Sequence, residues 1–167
     1  MRSVFRVTWC AAIVAAMACT QRSGAPTTSG VTPSRTMSAT IDGVAWNPSS
    51  VGANAQPALI TIFAFSGSGT AEQTTIDFHF LRTGLGTQTF VAGAGATEPT
   101  ATITVGSVAQ QVLTWTTGLT GGSGTVTLTI LTTNRAAGTF SFVAQGLGST
   151  ITPKQRQVTN GQFDVAF

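Results

Sequence analysis

Histidine occurs once in this 167-residue sequence, at His79, and a carboxylate stands two positions earlier at Asp77. An imidazole beside a carboxylate is half of a hydrolytic triad, which also needs a nucleophile on the far side of the ring and an oxyanion hole beyond it. Two apart on a strand, however, both side chains leave the same face side by side. No serine lies in a Gly-x-Ser-x-Gly turn followed by a helical pattern. Asp77 and His79 therefore read as residues of a polar strand face, candidates for binding rather than catalysis. One histidine, five scattered carboxylates and the two cysteines Cys10 and Cys19 do not make a zinc set. A calcium site from Asp42, Asp164 and main-chain oxygens is the alternative, but it lacks an Asp-x-Asp-x-Asp loop. Gly84-Leu-Gly86 has neither the following helix nor the lysine of a phosphate loop, and no pair of acids stands in a distinctive glycosidase context. No catalytic residue, metal or cofactor is expected. Trp46 and Trp115 are the remaining candidates for a binding surface, since indoles serve interfaces and sugars; the competing expectation is that each plugs the core.

The elements that carry these residues are strands. Glycine (19), threonine (31) and serine (13) supply over a third of the chain, while 42% hydrophobic content argues against a disordered one. From Thr36 onward the period is two. Ile76, Phe78 and Phe80 alternate with Thr75, Asp77 and His79, and Val126, Leu128 and Ile130 alternate with threonines. Phe140 and Phe142 alternate with Thr139 and Ser141, and Phe163, Val165 and Phe167 with Gln162, Asp164 and Ala166. Leu59 to Phe65 is apolar on both faces and reads as a central or doubly covered strand. Asp42-Gly43 reads as a tight turn between a strand ending at Ile41 and one starting near Val44, and Asn160-Gly161 as a possible hairpin turn. The expected fold is all-β, an antiparallel β-sandwich or barrel-like closed sheet of about eight to ten strands.

The first residues are of another kind. Arg2 and Arg6 precede an apolar run from Val7 to Ala18, which as a helix would span ~18 Å, too short for a hydrocarbon core of ~30 Å. This reads as a secretory signal. Its end, Ala16-Met17-Ala18-Cys19, resembles the lipobox of bacterial lipoproteins, with alanine at Ala16 where that pattern prefers leucine. The resemblance implies cleavage after Ala18, a diacylglyceryl group on the Cys19 sulfur and acylation of the new amine. Thr20, where aspartate would retain a lipoprotein at the inner membrane, implies sorting to the outer membrane. The expected organisation is a signal peptide at 1–18, a flexible tether at 19–35 and a single all-β domain at 36–167. Once leader and tether are set aside, Arg82, Arg135, Lys154 and Arg156 face five acidic residues, a net charge of −1. The basic balance of the precursor thus leaves no stripe for nucleic acid.

Two further stretches, Ser38-Ala-Thr-Ile-Asp-Gly-Val-Ala-Trp46 and Gly138-Thr-Phe-Ser-Phe142 with Val158-Thr-Asn-Gly-Gln-Phe163, carry a resemblance. Together with the strand Gly124 to Ile130 they resemble a family of uncharacterised bacterial lipoproteins, with an A-x-I-D-G-x-x-W opening, a G-T-F-x-F strand and a T-x-G-x-F ending. The family implies fold and location and brings no activity. The function expected is a non-catalytic binding or scaffolding role at the cell envelope, with the membrane as partner through the lipid anchor. The alternatives are a carrier holding a small apolar ligand in a cavity lined by Phe63, Phe78, Phe80 and Phe140, an integral outer-membrane barrel ending at Phe167, and an enzyme.

Overall fold

The structure, a computed structural model, describes residues 35–67, 72–95, 97–106 and 111–167; Ala18, Cys19 and the tether before Arg35 lie outside the described residues. Alternation of apolar and hydroxyl-bearing residues gives strands throughout: β1 (Thr36–Ile41), β2 (Val44–Trp46), β3 (Ser50–Ala55), β4 (Leu59–Ser66), β5 (Gln73–Leu81) and β6 (Gly86–Phe90), then β7 (Thr100–Gly106), β8 (Leu113–Thr116), β9 (Ser123–Leu131), β10 (Arg135–Gly146) and β11 (Gln155–Ala166). Among the described residues there is no helix.

All eleven belong to one antiparallel sheet of order β2-β1-β11-β10-β8-β7-β5-β4-β3. It forks at β10, whose one edge pairs β9 along Ala136–Val143 and β8 at Gln145–Gly146; β6 extends the β9 branch. The path ends at β2 and β3, so the sheet is open and strongly curled rather than closed. The strand expected near Val44 is β2; eleven strands exceed the eight to ten expected because four-residue β8 and the small-residue β3 (Ser-Val-Gly-Ala-Asn-Ala) carry little alternation to read.

Curling brings β5 over β10 and β11. Phe78 is fully buried, its ring centroid 4.7 Å from Phe140 and 5.5 Å from Phe163, and Phe90 meets Phe142 edge to face at 6.0 Å. Ile76, Phe78, Phe80, Val126, Leu128, Phe140, Phe142, Phe163 and Val165 all point into this core, as their spacing requires. Ile130 does not follow: the β9–β10 register slips between Ala137 and Gly138, so the alternation is broken at Thr129 and Ile130 is only half-buried.

Two other expectations change. β4 is paired on both edges, but only Ile60, Ile62 and Ala64 are fully buried; Leu59, Thr61, Phe63 and Phe65 form its outer face. Asn160-Gly161 is no hairpin turn. It lies inside β11, where Phe140 faces Gly161 and Phe142 faces Val158, leaving one extra residue on β11. Asn160 absorbs this bulge at φ 52. Gly161 is required by packing, since a Cβ there would stand 2.5 Å from Phe140 O and 2.7 Å from its ring.

The Asp42-Gly43 turn does form. Both residues have positive φ (49 and 84), the requirement of a type I′ hairpin, and Ile41 pairs Val44 across it. The aspartate also ties the hairpin to β11: Gln157 N–H donates to its Oδ1 at 2.8 Å, its own N–H donates to Gln157 O at 2.9 Å, and Arg156 pairs with Oδ2 at 3.2 Å.

Candidate functional site

On β5, with Phe78 and Phe80 pointing inward, Asp77 and His79 turn to the outer face. The register sets Asp77 between Phe63 on β4 and Thr102 on β7, and His79 between Thr61 and Thr100. The result is a grid of six side chains on three adjacent strands: a carboxylate, an imidazole, an aromatic ring and three hydroxyls. The Thr100 hydroxyl lies 3.1 Å from His79 Nε2 and 3.3 Å from Nδ1. Burial pushes the Asp77 carboxyl above the ordinary carboxylate value of 3.8, with the nearby imidazole pulling it partly back. A desolvated carboxylate on an outward face is kept at a cost to folding, and such groups concentrate at functional positions. The grid offers acceptors and donors beside an apolar surface, which suits recognition. It holds one imidazole and one carboxylate side by side, with no serine among the six.

Phe63 belongs to this face rather than to the interior. The residue is 41% exposed and its ring lies over Gly52 of β3, where a Cβ would come 2.3 Å from Cζ. The sequence held a signal for this, because Thr61 two residues earlier marks the polar face of β4. The other three residues expected to line a carrier cavity, Phe78, Phe80 and Phe140, are inside, with the Phe78 ring 6.2 Å from Phe80 and 4.7 Å from Phe140. Hollows of ≈ 450 and ≈ 440 Å³ lie where β1, β11, β10 and β9 run side by side, and outward-facing Ser38, Thr129, Thr139, Gln162, Thr125 and Ser141 are among their linings.

Trp46 and Trp115 are core residues. Trp46 is buried and its indole N–H donates to Ser66 Oγ at 2.7 Å, joining β2 to the end of β4. Trp115 is fully buried, donates to Pro153 O at 2.7 Å and lies 4.6 Å beneath the Arg156 guanidinium. Neither indole presents an open face, so neither joins Asp77 and His79 in a surface. Asp42 and Asp164 are also kept apart. Asp42 sits at the level of Gln157 and Asp164 seven residues further along β11, roughly 23 Å away at 3.3 Å per residue. Asp164 is held instead by a two-pronged Arg135 contact, Nε to Oδ1 at 2.8 Å and Nη2 to Oδ2 at 2.6 Å. That hydrogen bonding lowers its carboxyl below the ordinary value. Among the described residues no three of His, Cys, Asp and Glu converge as metal ligands.

Comparison with protein-family models, curated proteins and solved structures finds no match to this chain.

Proposed function

We propose that the chain is a lipid-anchored protein of the bacterial cell envelope, attached through Cys19, whose β domain is a non-catalytic binding module. The anchor reading rests on Ala16-Met17-Ala18-Cys19 and on the polar stretch that follows it. Three acyl chains would supply the multiple signals that stable attachment needs. We read the curled sheet as sandwich-like, because rings of β5 meet rings of β10 and β11 as two facing layers would. The observation that carries the binding reading is the outward Asp77, raised by burial and flanked by Phe63 and His79 on one face. The partner is expected to be a polar surface with an apolar element that covers Phe63. A net charge near zero on the folded part speaks against a phosphate backbone.

The carrier reading loses its support, since its intended lining is already in ring-to-ring contact and Phe63 is outside. An embedded barrel would need an apolar outward band, and the outer faces here carry Thr125, Thr127, Thr129, Thr139, Gln162 and Asp164.

Anchoring is tested with Cys19→Ser, which should release the protein from the membrane fraction; full retention in high salt sinks that part. Binding is tested by placing a photo-crosslinking residue at Thr102 in cells. A discrete adduct that weakens in Asp77→Asn is expected. No adduct at Thr102, with adducts at Thr139 on β10, overturns the assignment of the face.

A further inference from the structure

The sheet path ends at β3, and among the described residues no strand pairs with its outer side. Gln56 N–H donates to Leu59 O at 2.7 Å, and Ala55 faces Ile60. Hydrogen-bonded and non-hydrogen-bonded pairs alternate along an antiparallel ladder, so Asn54 and Gly52 turn their main-chain groups toward β4. The N–H and C=O groups of Val51, Ala53 and Ala55 therefore point the other way, in a row along the edge.

Sheet edges are normally guarded by lysine, proline, a bulge or a covering element. Ser50–Ala55 has no charge and no proline, and it runs in unbroken register with β4 over six residues. Its neighbour β4 is uncharged as well. The other strand ends suit pairing less: β2 spans three residues, and β6 opens at Gly86 with φ 117, out of the extended line.

Both faces of this edge are unfinished. On the outer face the Phe63 ring reaches across Gly52 to the edge, and the residue remains 41% exposed. On the inner face Val51, Ala53 and Ala55 are only partly buried against the core. A strand laid beside β3 would cover the ring on one side and these methyl groups on the other.

We propose that β3 pairs antiparallel with β3 of a second copy of this chain, about a two-fold axis between the two Ala53 residues. The strand is complementary to itself. In that register Ala53 pairs with Ala53 and Val51 with Ala55, so every outward N–H and C=O finds a partner, about six hydrogen bonds in all. The inner face then meets only Val and Ala side chains, and no like charges oppose each other. Asn54 of one copy falls opposite Gly52 of the other, bringing its side chain beside the Phe63 ring. Isologous two-fold pairing is the commonest arrangement of homo-oligomers, and it uses the β3 edge of both copies at once, so that edge recruits no third chain.

The test is light scattering of the purified full chain, with bound detergent subtracted, on wild type, Ala53→Pro and Asn54→Lys. Proline at Ala53 removes an N–H that points only outward, so the β3–β4 ladder survives. Wild type is expected to show a concentration-dependent doubling of mass. Ala53→Pro is expected to weaken dimerisation about thirtyfold through one lost ladder bond per copy, with unchanged circular dichroism. Should Ala53→Pro fail to fold, Asn54→Lys, which changes only an exposed side chain of the edge, decides by the same mass readout. Wild type that stays monomeric at its highest attainable concentration, or a folded variant that dimerises as wild type does, overturns the proposal.

Discussion

Phe78→Ala removes the ring at the centre of the curled sheet, and its cost can be worked from the contacts. Phe78 is fully buried, with the rings of Phe140, Phe163, Phe80 and Phe90 at 4.7, 5.5, 6.2 and 6.3 Å. Exposing such a side chain forfeits about 2 kcal/mol of transfer free energy. A residual cavity of roughly 100 Å³ at about 24 cal/mol per Å³ adds about 2 kcal/mol more. The sum, about 4 kcal/mol, is a large part of the 5–15 kcal/mol by which domains are typically stable. Urea unfolding followed by circular dichroism should show the midpoint falling by about 2 M at a slope of about 2 kcal/mol per M, with that slope unchanged. The variant should also be restabilised by a small apolar molecule such as benzene, which is not expected to stabilise wild type, where the Phe78 ring fills that space against Phe140 and Phe163. A loss below about 1 kcal/mol, or benzene stabilising wild type, would mean that the interior is loosely filled, and the carrier reading would return.

Three other perturbations follow from single contacts. Asp77 has a folded pKa raised above its ordinary 3.8, so stability declines as pH rises through that window and stays lower above it; Asp77→Asn should be more stable than wild type at neutral pH and lack this decline. Equal urea midpoints for the two proteins at neutral pH would contradict the burial of that carboxylate. For Asp164 the sign is opposite: its lowered folded pKa gives stability that is complete above 3.8 and lost as pH falls below it, and Arg135→Ala should remove this acid sensitivity from the melting curve. Gly161→Ala forces a methyl against Phe140 and should cost about 1–3 kcal/mol, whereas a neutral result would deny the bulge its packing role.

The fold was legible where one face of a strand is large and apolar and the other bears hydroxyls. Ile76-Phe78-Phe80 and Phe163-Val165 were placed on the core by period alone, and Asp42-Gly43 announced its hairpin because few other residues take positive φ twice in succession. Legibility failed where a bulge shifts the period, at Thr129 and at Asn160, because a local pattern does not contain the register of the partner strand. The candidate site was half legible. Asp77 and His79 could be set on one outer face, but Phe63, Thr61, Thr100 and Thr102 join them only through the β4–β5 and β5–β7 registers. Phe63 could have been placed outside from Thr61, which shares its face of β4, but nothing local says that Gly52 lies beneath its ring. The tryptophans were ambiguous by nature, and tertiary hydrogen bonds from Trp46 to Ser66 and from Trp115 to Pro153 decided them as core residues.

The proposed envelope location rests on lipid attachment at Cys19, so that attachment is the first thing to establish. The most direct measurement is the intact mass of the protein extracted from bacterial membranes. The account predicts a polypeptide that begins at Cys19, heavier than its sequence by a diacylglyceryl group and one further acyl chain, with the whole addition on the first residue. An unmodified chain, or one cleaved elsewhere and carrying Cys19 as a free thiol, would contradict it.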